Sequence, residues 1–155
     1  MRHRLGFMQG RLCEPVDGLI QAFPWRDWET EFSVASRIDM HLLEWTLDHE
    51  SLYSNPIMTA EGQNKIRHYC ERYDILIPSL TGDCFMQQPF WKMDRQIRSD
   101  RQSDFLKIIQ SCSLVGIKMI VVPLVDKGRL ETVDQENILI DFLLKNENIF
   151  KLYNI

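Results

Sequence analysis

Four short apolar runs, at residues 5–8, 40–45, 75–80 and 117–125, recur along the chain with an amphipathic helical pattern after each. No other feature restricts the fold as much. Each run has the length of a buried strand. Measured from Leu5 to Leu42, Ile77 and Ile120, the spacings are 37, 35 and 43 residues. A strand and a helix alternating on a nearly constant unit imply a parallel sheet with crossover helices.

The intervening segments support this reading. Trp28, Phe32 and Ala35 follow i, i+4, i+7, and Ile66, Tyr69, Cys70 and Tyr73 follow i, i+3, i+4, i+7 after an N-cap expected at Thr59. Phe105, Ile108, Ile109 and Cys112 repeat that spacing before Gly116, which suits a left-handed C-cap. A fourth helix is expected after Asp134, with Ile138, Leu139, Phe142 and Leu143 on one face. It should finish near Phe150, where a fifth strand would begin. An open doubly wound sheet and a (β/α)8 barrel both accept such units. Four units in 155 residues extrapolate to about 310 for eight, within the barrel range. The expected fold class is therefore α/β: half of a TIM barrel, one domain over residues 1–155, ending before strand five. A flavodoxin-like open sheet would need a fifth strand that the tail is too short to supply.

Composition narrows the function classes. The chain is 45% hydrophobic and 26% charged, as a soluble globular domain is, and its net charge of −4 provides no field for a phosphate backbone. No nucleic-acid partner is expected. No apolar run approaches the roughly 18 residues that a bilayer demands, and the amino terminus lacks a signal peptide's apolar core, so no membrane association and a cytoplasmic location are expected. Cys13, Cys70, Cys84 and Cys112 include no C-x-x-C pair and read as free thiols. His3, His41, His49 and His68 form no metal-binding spacing. There is no glycine-rich nucleotide loop and no G-x-S-x-G.

Parallel α/β folds carry their chemistry at the carboxyl ends of the strands. Gln9 and Arg11 follow strand one on the face of Phe7, placing an amide and a guanidinium suited to hydroxyls and to a phosphate or carboxylate. They could equally cap the turn and face water. Glu44 follows three apolar residues, so its carboxylate must be paired, hydrated or ligated. It is the best single acid in the chain, unless an arginine from the next loop holds it in a structural ion pair. Asp83 lies after Gly82 near Phe85, Phe90 and Trp91, which could stack on a sugar ring or simply supply core area. Asp126 in Asp-Lys-Gly reads more as a turn.

At these strand ends the chain resembles the sugar phosphate isomerase/epimerases with a xylose-isomerase-like barrel. The resemblance rests on LGFMQGRL at 5–12, LEWTLD at 43–48, IPSLTGDCFM at 77–86 and GIKMIVVPLVD at 116–126. It implies a divalent metal (Mn, Mg, Co or Zn) in the complete barrel, acid-base chemistry beside a sugar carbonyl, and a sugar or sugar phosphate as substrate. In that family the metal ligands come mostly from strands five to eight, so no metal is expected to bind tightly to this chain and the chain alone is expected to be inactive. The endonuclease branch of the superfamily uses histidines where this chain has Thr81, Gly82, Asp83, Pro123 and Leu124. The roles expected are acid-base work for Glu44, hydroxyl contacts for Gln9 and Asp83, anion binding for Arg11 and ring contact for Trp45. The alternative is a non-catalytic half-barrel that acts as a binding or dimerising module. Its unpaired strand edges, beside Phe7, Met119 and Val121, are expected to drive self-association.

Overall fold

The computed structural model describes residues 5–18 and 22–155. Among them four strands, β1 (Gly6–Met8), β2 (Leu42–Thr46), β3 (Leu76–Thr81) and β4 (Met119–Val121), pair in parallel in the order β1-β2-β3-β4. Extended backbone is also expected just before the first apolar run, at residues 3 and 4, which lie outside the described residues. The α/β class, the parallel pairing and the sequential adjacency match the repeated unit. No described helix is long and apolar enough to cross a membrane.

Helices α1 (Trp28–Arg37), α2 (Ala60–Tyr73), α3 (Asp83–Gln87), α4 (Arg95–Leu114), α5 (Val133–Lys145) and α6 (Glu147–Tyr153) complete the described elements, with short 3-10 turns between them. Helices α2, α4 and α5 begin on side-chain caps. Thr59 caps α2 by accepting the Gly62 N–H. Asp94 caps α4 by accepting from Gln96 and Ile97. At the end of α4 the Ile117 N–H reaches Cys112 O and the Gly116 N–H reaches Ser113 O, a Schellman pair that needs Gly116 at φ +88°. The fourth expected helix starts earlier than Asp134, because Thr132 caps it through the Gln135 N–H.

The tail departs from expectation. Residues 147–153 form α6 instead of entering a fifth strand. Glu147 and Lys151 pair at i, i+4 and 2.6 Å, and the Phe150 ring packs on Phe105 of α4 with centroids 6.4 Å apart. Docking Phe150 on an existing core outweighs the β-propensity of the segment.

One face of the sheet carries the core. Leu43, Trp45 and Leu47 from β2 and its exit, with Ile77 and Leu80 from β3, are buried with Phe32, Ile66, Phe105, Ile108 and Cys112 from the helices. Phe7 joins this cluster, so it does not serve the exposed edge where it was expected. Its register partner is Leu43, and both point toward the helices. The opposite face is uncovered, with Leu76, Met119 and Val121 exposed by 62%, 57% and 45%.

A register shift separates the two faces of β3. Leu42 pairs with Leu76 and Glu44 with Ser79, so three steps on β3 match two on β2. Pro78 sits in the shift, where a residue without an N–H is tolerated. Leu76 and Ser79, three apart, consequently share the open face, while Ile77 and Leu80 share the buried one.

The start of α2 packs with no space to spare. A Cβ added at Gly62 would stand 2.2 Å from Pro56 O and 2.4 Å from Pro56 Cα. Both are backbone atoms, so the helix or the preceding turn would have to shift. The Gly62→Ala variant is expected to lose about 3 kcal/mol of stability. By thermal unfolding that is a fall of roughly 10 °C; an unchanged midpoint would show that the turn yields freely.

Candidate active site on the open face

Glu44 is half-buried on the uncovered face and is held by β3. Its Oε2 accepts from Ser79 Oγ at 2.8 Å and its Oε1 from Thr81 Oγ1 at 2.7 Å. Among the described residues no arginine pairs with it; two neutral hydroxyls orient the carboxylate. Met8 of β1 stands beside Glu44 in register, and Arg11 places Nη2 3.6 Å from Met8 Sδ. Arg11 itself is exposed. A carboxylate held by two hydroxyls still has acceptor capacity for a ligand hydroxyl or proton. A guanidinium over the adjacent strand end offers planar donors to an anion.

Gln9, Trp45 and Asp83, also expected at the site, are buried. Gln9 is buried and its side chain replaces a rung of the β1–β2 ladder: the Gln9 N–H donates to Glu44 O, while Gln9 Oε1 accepts the Thr46 N–H at 3.2 Å. Its Nε2 is buried without a hydrogen-bond partner among the described residues. Trp45 is fully buried toward the helices, donates from Nε1 to Asn55 Oδ1 at 3.2 Å, and packs on Phe23 and Trp28. Parity decides this: Trp45 follows Glu44 and must face the other way. Asp83 is buried at the first position of α3. Its aromatic neighbours are core, with Phe85 stacked on Phe105 at 4.4 Å and Trp91 donating to Gly128 O. Asp126 opens a 3-10 turn at φ +48°, in line with its turn reading.

Two supporting groups escaped sequence reasoning. Glu31 of α1 is fully buried, and its carboxylate accepts the Gly10 N–H at 2.9 Å and the Leu12 N–H at 3.0 Å. It shapes the loop that carries Arg11. Burial pushes the Glu31 carboxyl above its usual value, against the pull of these N–H groups. Its signal was an acid inside the apolar stripe Trp28, Phe32 and Ala35. Asp48 ties three loops together by accepting from the Phe23 N–H and from Gln87 Nε2, while Gln87 Oε1 accepts the His49 N–H.

His41 lies at the other end of the strands, bonded to Asp74 O and Asp39 Oδ1. His49 is partly buried against Arg101, and both burial and that guanidinium disfavour its protonation. The cysteines are free. Burial raises the Cys84 and Cys112 thiols, the latter to about 12, so neither is a nucleophile at neutral pH.

Among the described residues no group of three or more His, Cys, Asp or Glu is placed to hold a metal ion. No protein-family profile matches the chain, and no curated protein matches it.

Proposed function

We propose that this chain forms the substrate-facing wall of a sugar or sugar phosphate isomerase or epimerase built on a TIM barrel. The observation that carries the reading is Glu44, oriented by Ser79 and Thr81 on the open face of a parallel sheet, with Arg11 over the neighbouring strand end. In this reading Glu44 accepts a proton or hydrogen bond from the carbon or hydroxyl beside the carbonyl. Ser79 and Thr81 fix its direction. Arg11 holds a phosphate or carboxylate, and its loop is positioned by Glu31. Gln9, Trp45 and Asp83 support these groups instead of touching substrate.

A binding or dimerising half-barrel is the second reading. The exposed Leu76, Met119 and Val121 around the carboxylate favour it.

The two differ in ligand response. Titrating the labelled chain with aldose and ketose phosphates is expected to shift the amide signals of Met8, Arg11, Glu44, Ser79 and Thr81, without turnover by the chain alone. Glu44→Gln should weaken binding by roughly 10-fold or more, the scale of a lost hydrogen bond to a charged group. Arg11→Ala should weaken phosphorylated sugars while sparing neutral ones. If millimolar sugar phosphates leave these signals unmoved, the carbohydrate reading fails.

A further inference from the structure

The loop that follows β2 is fastened to α4 by a charged network with one histidine in it. Arg101 of α4 places Nη1 3.4 Å from both ring nitrogens of His49. Equal distances mean that the guanidinium rests against the ring and addresses neither lone pair in particular. The same Nη1 pairs with Asp104 Oδ2 at 2.8 Å. Asp104 is buried and its Oδ1 accepts the Tyr53 hydroxyl, to which Lys107 Nζ donates at 3.0 Å. Behind this network His49 and Arg101 line a small cavity with Leu52, Cys84, Phe85 and Phe90. The loop itself turns on His49: its N–H donates to Gln87 Oε1 at 2.7 Å, its carbonyl accepts the Leu52 N–H, and Ser51 between them stands at φ +55°.

We infer that His49 and Arg101 form an acid-released latch, which holds the loop after β2 on α4 while the imidazole is neutral and lets go when it takes a proton. A guanidinium stacks favourably on a neutral ring. Protonation instead sets two cations 3.4 Å apart, where their repulsion is strong. The other charged or titratable neighbours do not reverse this. Asp104 favours the charged ring, but its two oxygens are already committed to Arg101 and Tyr53. Lys107, on the same face of α4, is a further cation held by Tyr53. On α3 the Cys84 thiol is kept protonated by burial. Within the loop, Asp48 accepts from the Phe23 N–H and Gln87 Nε2, and Glu50 is exposed. Burial and then Arg101 accordingly push His49 below its ordinary value of 6.5, against the pull of Asp104. The ring is neutral at neutral pH and takes its proton only in mild acid. A base depressed in this way contributes stability that is present above 6.5 and lost as pH falls through its folded value. Release frees the Leu52 and Tyr53 turn and opens the cavity that holds Cys84. The inference is independent of the carbohydrate reading, because it rests on the contacts of His49 and not on Glu44.

NMR titration of the histidine rings, with amide hydrogen exchange followed on the same samples from about pH 8 to about pH 5, tests the latch on the unaltered chain. His49 is expected to titrate below 6.5, whereas His41, bonded to Asp74 O and Asp39 at the other end of the strands, should titrate above it. As His49 takes its proton, the protection factors of the Leu52 and Asn55 amides should fall by roughly 10-fold or more, while those of β2 stay constant. His49→Gln, which cannot charge, should abolish that fall. Arg101→Gln removes the facing cation and should move the His49 midpoint upward while leaving His41 where it is. A parent His49 that titrates at or above 6.5 would overturn the proposal. So would Leu52 and Asn55 amides that keep their protection after His49 is charged, or an Arg101→Gln midpoint no higher than the parent's.

Discussion

Replacing Trp45 with alanine is expected to remove about 4 kcal/mol from a total stability on the order of 10 kcal/mol. Trp45 is fully buried at the centre of a cluster with Phe23 and Trp28, ring centroids 5.5 and 5.8 Å away. The cavity left by the indole lies under β2, the strand that pairs with both β1 and β3, so neighbouring side chains have little freedom to fill it. Loss of the Nε1 donor adds to this. Asn55, itself buried, uses one oxygen for both Trp45 Nε1 and the Ile57 N–H. Trp45→Phe should separate the two contributions by keeping most of the apolar volume and losing only the hydrogen bond, at about 1–2 kcal/mol. Urea unfolding of the three proteins measures both. A loss below about 1 kcal/mol for Trp45→Ala would mean that the ring is not the keystone of the helix-facing core. It would also reopen the expectation that Trp45 meets a ligand.

Glu31→Ala is the second large effect. The variant strands the partly buried Gly10 and Leu12 N–H groups and leaves a cavity between α1 and the loop after β1, at an expected cost of about 3 kcal/mol. Glu31→Gln should cost less, since one amide oxygen still accepts. The pair also has a pH signature. Glu31 is raised above its ordinary value of 4.5 in the folded protein, chiefly by burial, so between that value and its folded value the native state holds more proton than the unfolded chain. Stability of the parent therefore falls as pH rises through that window. The Gln variant lacks this component, and the parent should lose ground to it from pH 4.5 upward. Thermal unfolding of both across the acid range checks the sign; a parent that gains on the variant with rising pH would show that the N–H groups outweigh burial.

The repeated spacing of the apolar runs was enough to specify four parallel strands in sequence order, because only a strand–helix alternation gives apolar runs of strand length at that period. The helix faces of α1, α2 and α4 were legible for the same reason, and so were the cap at Thr59 and the Schellman turn at Gly116, where local chemistry alone decides the backbone. The candidacy of Glu44 was legible too, since a carboxylate ending an apolar run must find partners. Which partners it finds was not. By simple alternation Leu76 and Ser79 belong on opposite faces, and only the register shift at Pro78 brings Ser79 and Thr81 together beside Glu44. Gln9 shows the same limit, because its position at a strand end suggested a ligand contact while the turning backbone at Gly10 left a rung for its amide to fill. The helical tail was decided by Phe150 finding Phe105, a contact 45 residues apart in sequence. Local pattern determines where strands and helices occur; register, loop capture and long-range packing determine what each side chain faces, since these depend on energies shared between segments that no local window contains.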